Sequence, residues 1–518
     1  MAKVAINIDK ADEFTSSTAI PRVEYRNIIQ RRFFAWIKYI SVEPPMWFYM
    51  MAYMFTSIIE QDFFRYKACG VDLGYSEEIC SKLNDDSNKA IKTKVQITVS
   101  EFHQWNDIIG HVMPIILAMF FGNWSDRRGR KLPLVLGLIG KFIYSFMIVI
   151  NSVMDTWNLN MVVYTATLPM SLLGGDVAIF GSCFAYISDI SSVQQRTLRI
   201  TILDVIYLST MPSGVALGSY VFSHLDYLPY TIMFIVNTML LVLAIVYSLI
   251  RLKWQTSLRQ QPLPSGTNFL VDFFEMKHVT TTMRTMVKSR PNHGKLHLWF
   301  LLLAMCFYTF QRDEKPKSQM YTSLIFNWNV TDFSNFKIFQ STLFVVAILI
   351  GVPIMSKWLG IRDTFIIAIG AISHAAGRIV FILAGKPELF YVGAAVAALG
   401  PMTAPVIRSM TSKLVSIEER GKVFAMLSVC DNAVPLISGA LYSQLYNATI
   451  KTAPSSFYWL TFATQITVLL LILVIQFSSW SKHATEQQDY INDEAVAPSL
   501  SNTSEISSEV NSSSNVTA

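Results

Sequence analysis

The chain reads as an all-α membrane protein with twelve transmembrane helices in two six-helix halves. Three observations predict this: an apolar composition, a series of apolar runs of spanning length, and a charge spacing repeated between the halves. Of 518 residues, 52% are hydrophobic and only 15% charged, more apolar than one soluble core of that length would be. In lipid the backbone must satisfy its own hydrogen bonds, which leaves helices or closed barrels, and these long continuous runs lack the alternation of barrel strands.

Taken in order, residues 1–40 are polar and basic, with Arg22, Arg26, Arg31, Arg32 and Lys38. They contain no short apolar core with a small-residue cleavage site, so a cytosolic arm is expected and not a removed signal. Spans are expected at 42–64, 101–121, 132–153, 159–187, 198–222, 228–250, 297–322, 336–358, 364–384, 388–412, 421–445 and 456–479, each close to the ~20 residues a spanning helix needs. The fifth carries Asp204, and the seventh is interrupted by the charged run Arg312-Asp313-Glu314-Lys315-Pro316-Lys317. The expected division is an amino-terminal half at 41–251, a cytosolic central loop at 252–296 with Pro262, Pro264 and Gly266 among many cations, a carboxy-terminal half at 297–480, and a disordered cytosolic tail at 481–518 rich in Ser, Asn and acids.

Charge placement sets the topology. Arg127, Arg128, Arg130 and Lys131 follow the second span, Arg196 and Arg199 the fourth, Arg251, Lys253 and Arg259 the sixth, and Lys413, Arg420 and Lys422 the tenth. Cations beside spanning helices mark the cytosolic side, so these loops and both termini are expected there. The hairpin Gly122 to Lys131 crowds its cations around Asp126, and Gly122 and Gly129 are expected to let the chain reverse tightly. On the opposite side Cys69 and Cys80 share the first external loop with ten residues between them, which predicts a local disulfide in an oxidising compartment. Asn329-Val-Thr331 and Asn447-Ala-Thr449 fall on that outer side as candidate glycosylation sites. Cys183, Cys306 and Cys430 lie within spans, where a small apolar thiol is the default.

A repeat supports the two halves. Gly129 and Lys131 stand three and five residues after Asp126, as Gly360 and Arg362 stand three and five after Lys357. Asp189 precedes Arg196 by seven residues, as Lys413 precedes Arg420, and the offsets between the halves, 231 and 224, are close to those of a duplicated six-helix unit.

These residues carry a resemblance. The Gly122, Asp126, Gly129-Arg130 spacing resembles the loop between helices 2 and 3 of the major facilitator superfamily. Leu172-Leu-Gly-Gly-Asp176, Ala185-Tyr-Ile-Ser-Asp189 and Arg196-Thr-Leu-Arg199 resemble helix 4 and its following loop in solute carrier family 46, the proton-coupled folate transporter family. Pro405-Val-Ile-Arg408, Ser412-Lys-Leu-Val415, Glu419-Arg-Gly421, Val423-Phe-Ala425 and Leu445-Tyr-Asn-Ala-Thr449 resemble its helix 10 to helix 11 region. Val42-Glu-Pro44 and Phe326-Asn-Trp328 fit as well, so the likeness spans residues 40–480.

The resemblance implies the major facilitator fold, proton-driven uptake of small organic anions and alternating access around a central cavity. Ionisable groups inside spans are costly and usually functional, and five stand out: Asp176, Asp204, Arg378, Arg408 and Asp431. Arg408 is the first candidate for the anion, because a guanidinium stays charged and grips carboxylate or phosphate through two bonds, and it matches an arginine tied to transport in the folate carrier. Arg378 and Asp431 are further substrate-site candidates, although an ion pair between Arg408 and an acid such as Asp431 is an equally open reading. Asp204, where the folate carrier has a Glu, is the first candidate for the coupling proton and Asp176 the second. Asp126, Arg130, Asp189 and Arg196, with Gly122 and Gly129, are expected to form the cytosolic gate.

One departure bears on substrate. The folate carrier has a histidine in helix 7 linked to proton coupling, whereas 298–321 contains none and carries the 312–317 charges. The expected cargo is therefore a class, covering folate-like, muropeptide-like and cyclic-dinucleotide-like anions. No metal-ligand spacing, phosphate loop or His/Asp catalytic pair is present, so neither an enzyme nor a cofactor is expected. The expected partners are the substrate anion, protons and lipid, and no nucleic acid polymer. The expected location is the plasma membrane or an endolysosomal membrane. A transport-dead ligand sensor on the same fold and a proton-independent uniporter or exchanger are the alternatives.

Overall fold

The computed structural model describes residues 40–191, 196–257, 260–263, 266, 268–275, 280, 287–288, 294–415 and 420–478. The basic arm up to residue 39, the tail, and the side chains of Arg196, Lys357, Arg420 and Lys422 lie outside the described residues. All regular structure among the described residues is helical. The first set comprises α1 (Glu43–Lys67), α2 (Lys89–Arg128), α3 (Lys131–Val153), α4 (Asn160–Ile190), α5 (Arg196–Ser223) and α6 (Pro229–Arg251). The second comprises α7 in two pieces (Gly294–Thr309 and Glu314–Phe326), α8 (Val330–Ser356), α9 (Asp363–Leu383), α10 (Pro387–Lys413), α11 (Arg420–Thr449) and α12 (Phe457–Ser478).

Among the described residues, nine of these helices are long and apolar enough to cross a membrane. The other three, α1, α7 and α11, are less apolar or broken because they carry Glu60 and Asp62, the 312–317 charges, and Asp431. Two boundaries differ from expectation for physical reasons. Helix α2 begins at Lys89 and runs to Arg128, so Gly122 lies inside a helix and the chain reverses at Gly129 alone. Helix α7 does not run straight through its charges: a 3₁₀ turn at Phe310–Arg312 separates its two pieces. Helix α4 is broken as well, at Gly174 and Gly175, whose φ values of 84° and 42° favour glycine.

Within the first set α1 packs on α5 and α6, and α3 on α4 and α6; within the second α9 packs on α10 and α7 on α11. The sets meet along α2 against α11 and α5 against α8. Moving six helices along the chain converts one of these contacts into the other, the pattern of two related six-helix units. The meeting is uneven along the bundle. At the end carrying the Cys69–Cys80 disulfide, one apolar core joins both sets, with Phe64, Phe102, Met320, Tyr321, Trp328 and Tyr446 all buried in it. Toward the Gly129 end the cores divide, one within α7–α12 around Leu298, Ile366, Ile407 and Ile472, the other within the first set around Met46, Leu138, Ile187 and Leu203.

Gly218 fixes how closely α5 approaches α1. A Cβ there would lie 2.0 Å from the Phe55 carbonyl oxygen, so only glycine admits this contact. Gly218→Val is expected to lower the thermal stability of the detergent-purified protein by about 1–3 kcal/mol. Gly181→Ala, with nothing within 4 Å of its Cβ position, is expected to leave it near the wild type. Equal unfolding temperatures for Gly218→Val and the wild type would remove the close contact from the account.

Candidate functional site

At the Gly129 end, the charges expected to form a gate are brought together. Arg130 donates Nε to Asp189 Oδ2 at 3.0 Å, pairs with Asp126 one turn before it, and donates to Ser125 Oγ at 2.6 Å and to the Gly122 carbonyl at 3.4 Å. Asp189 also accepts from Thr256 Oγ1 at 2.8 Å and Gln260 Nε2 at 3.0 Å. The start of the central loop thus lies across this cluster. Farther along, Arg128 forks Asp272 with bonds of 3.0 and 2.6 Å, and Trp124 Nε1 donates to the same carboxylate at 2.8 Å. That fork, strengthened by the indole, holds the Asp272 carboxyl below the usual carboxylate range. Gly129, at φ 122°, is required twice over: its φ is disfavoured for other residues, and a Cβ would meet the Trp254 carbonyl oxygen at 2.0 Å.

These contacts all lie within the first set and the loop that follows it. Among the described residues, the cluster fixes α2, α3, α4 and the central loop to one another.

Among the described residues, the cross-set bonds are at the disulfide end, and apart from Lys317 they use residues that sequence reasoning did not single out. Lys92 on α2 donates to the Ser323 carbonyl at 2.6 Å and Asn327 Oδ1 at 3.1 Å, Gln96 to the Met320 carbonyl at 2.9 Å, and Lys317 on α7 to Ser100 Oγ at 2.8 Å. From α1, Arg65 donates to Ser323 Oγ at 2.7 Å, and Gln319 returns a bond of 3.2 Å to the Ile58 carbonyl. The second piece of α7 is thereby held against the first set. The available signal was the polar stretch 89–100, which continues α2 as a helix with Lys92, Gln96 and Ser100 spaced four residues apart on one face.

Between the two ends lie the predicted intramembrane charges. Arg408 on α10 donates NH2 to Asp431 Oδ2 at 3.1 Å, while Thr309 Oγ1 of α7 donates to the other oxygen at 2.9 Å. The Arg408 side chain remains 46% exposed, so the pair leaves much of the guanidinium open. Asp204 on α5 is within electrostatic range of Arg408 and has no hydrogen bond or ion pair among the described residues. Asp176 is differently placed: it pairs with Lys141 of α3 at 2.6 Å and accepts from the Tyr49 hydroxyl at 2.5 Å. Arg378 is buried at 4% exposure and forks Glu314 with bonds of 3.1 and 2.9 Å, and Thr461 also donates to that acid. This guanidinium is buried and already paired, with Nη1 left without a partner among the described residues, so Arg408 is the more accessible of the two cations. Lys141, Glu60 and Asp107, ionisable groups inside apolar spans, carried the same signal as the five residues chosen and were missed.

Residues 90–324 match the family model described as Major Facilitator Superfamily. The "Lysosomal proton-coupled steroid conjugate and bile acid symporter SLC46A3" of Gallus gallus is 25% identical over 466 residues, 86% of this chain and 95% of that protein. The "Probable peptidoglycan muropeptide transporter SLC46" of Drosophila melanogaster is 22% identical over 434 residues, 80% of this chain and 81% of its own. Among solved structures, the human organic anion transporter MFSD10 (TETRAN) superposes with a TM-score of 0.56 at 12% identity, over 83% of this chain and 97% of that one. The chain has the major facilitator fold, and its relatives are transporters of solute carrier family 46. Fold and relatives together point to a membrane transporter family and not to an enzyme.

In this carrier, Arg130→Ala removes the shared partner of Asp126, Asp189 and Ser125. Maximal transport is expected to fall at least about fivefold, with a normal amount of protein in the membrane, as a shifted balance between states would give. Unchanged maximal transport at equal membrane abundance would remove the cluster from the transport cycle.

Proposed function

We propose that the carrier is a proton-coupled symporter of small organic anions that works by alternating access. The observation that carries this reading is Arg408: a half-exposed guanidinium bound to Asp431 through one nitrogen, opposite Asp204, which has no bonded partner among the described residues, in the region where the two helix sets have separate cores. Arg408, with Asp431 as its resting partner, binds the carboxylate or phosphate of the substrate. Asp204 carries the coupling proton. When ionised it attracts Arg408 and competes with the anion; when protonated it frees the fork, and a neutral acid can be enclosed with far less desolvation cost than a carboxylate. Asp176 is the second candidate, less favoured because Lys141 and Tyr49 already satisfy it.

The Gly129 end is assigned to the cytosol. Its loops carry the cations, and the Cys69–Cys80 disulfide lies at the other end, where an oxidising compartment is required. With the disulfide end latched and the cores divided at the Gly129 end, this state faces inward. Gly122, Asp126, Gly129, Arg130, Asp189 and Arg196 brace the inner mouth of the first half, whose limits are taken as 41–251 against 297–480 for the second. Asn329 suits a glycan: it caps α8 through Oδ1, accepting from the Asp332 amide at 2.9 Å, which leaves its amide nitrogen for modification. Asn447 is less suited, since it lies in the last turns of α11 with a buried side-chain oxygen. Plasma and endolysosomal membranes both fit this topology.

Mutation separates the roles. Arg408→Ala is expected to abolish anion binding at every pH, and Arg408→Lys to restore little, because a point charge replaces a fork. Asp204→Asn, which mimics the protonated acid, is expected to keep exchange of substrate across proteoliposomes while losing stimulation by an inward proton gradient. Full gradient-driven accumulation by Asp204→Asn would move coupling to Asp176. Binding by the wild type without uptake would identify a ligand sensor, and uptake indifferent to the gradient a uniporter or exchanger.

A further inference from the structure

The charged run that interrupts α7 has a use beyond the Arg408 site. Its five charged residues divide by environment. Asp313 is buried and accepts from Ser438, Glu314 is committed to Arg378 and Thr461, and Lys317 is buried against Ser100. Arg312 and Lys315 are different. Neither has an ion pair or hydrogen bond among the described residues, and Lys315 is exposed although it lies in the middle of α7. Lys337 on α8 stands within electrostatic range of Lys315; its only bond among the described residues is a neutral one, to Gln340 Oε1 at 2.9 Å.

A lone cation facing hydrocarbon is costly, so three together require a watered space and not lipid. Arg312 is only partly buried and lies within electrostatic range of Asp176 and Tyr53 of the first set. The acids around the group offer little compensation: Asp176 is held by Lys141, Asp431 by Arg408 and Thr309, Glu314 by Arg378, and Asp313 by Ser438. Asp107 is also within range of Arg312 but is shared with Asp313 and Lys317 and packs on Gly439. A mobile anion is the missing partner.

The spacing follows from the helix. Thr309 touches the same Asp431 that holds Arg408. Arg312 is one turn beyond it, and Lys315 is six residues beyond it, about 10 Å along an axis that rises 1.5 Å per residue in α-helix and about 2 Å in 3₁₀. We infer that Arg312, Lys315 and Lys337 form a second anion subsite, so that the preferred substrate is an elongated organic molecule with two anionic groups about 10 Å apart. One group sits at Arg408 and the other at this patch. The inference rests on the anion-carrier reading and narrows its substrate class.

The test uses purified full-length carrier in detergent, with binding of α,ω-alkane disulfonates of increasing length measured against the monosulfonate of each length. The wild type is expected to bind the disulfonate of matching span about tenfold tighter than its monosulfonate, as one added charge-assisted contact gives. In Lys315→Gln and Lys337→Gln the ratio should fall toward one, and in Lys315→Arg, which keeps the charge and guards against misfolding, it should persist. A wild type that binds mono- and disulfonates equally at every length, or a Lys315→Gln protein that keeps the tenfold ratio, would overturn the second subsite while leaving Arg408 in place. A wild type that binds neither would overturn the anion-carrier reading with it.

Discussion

A charge inside a bilayer must be paired, hydrogen-bonded or wetted, and the centre of this protein is organised by that requirement. Arg378 and Glu314 take the first solution, forking across the core of the second helix set with Thr461 on the same acid. Asp176 combines pairing with a tyrosine hydroxyl. Arg408 is only partly satisfied, and Asp204, Arg312 and Lys315 have no bonded partner among the described residues. The satisfied groups hold the helices together. Under the proposed mechanism, those left over mark where water, protons and a solute would enter.

The same constraint explains why the two ends of the bundle differ. At the disulfide end, side chains of α2 reach carbonyls of α7, and Lys317 of α7 reaches a hydroxyl of α2, inside an apolar core shared by both sets, so few groups there need water. At the Gly129 end the cations bond to acids, hydroxyls and carbonyls of their own set and of the central loop, leaving the two sets with separate cores. Closure at one end and division at the other is the geometry that alternating access requires of one of its states. Helix α7 is suited to changing between states, because its charged 3₁₀ turn divides a piece packed within its own set from a piece latched to the other.

Much of the fold was legible in the chain because lipid imposes a strong, local rule: apolar runs of spanning length gave the helices, and the Cys69–Cys80 pair lay in one short loop. What escaped depends on tertiary contact. Gly122 looked like a turn glycine beside Gly129, yet the helix continues to Arg128, and only Gly129 has the positive φ and the carbonyl pressed against it that require glycine. Arg378 and Arg408 were alike as sequence, each an arginine in an apolar span. Their difference comes from Glu314, a neighbour distant in the chain that neutralises one of them in the core. Lys141 and Asp107 carry the same local signal as Asp176, and only their tertiary contacts, Lys141 with Asp176 and Asp107 against Gly439, tell them apart.

The central claim is that the latched disulfide end is one of two states and opens during the cycle. Spin labels at Lys94 of α2 and Lys451 beyond α11, both exposed at that end and on opposite sets, report it directly by pulsed electron spin resonance once Cys183, Cys306 and Cys430 are replaced. Two distance populations are expected, a short one matching this structure and a longer one, with their balance moved by pH between neutral and acidic. A single short distance under every condition of pH and added anion would contradict alternating access and leave a static binding protein on a transporter fold.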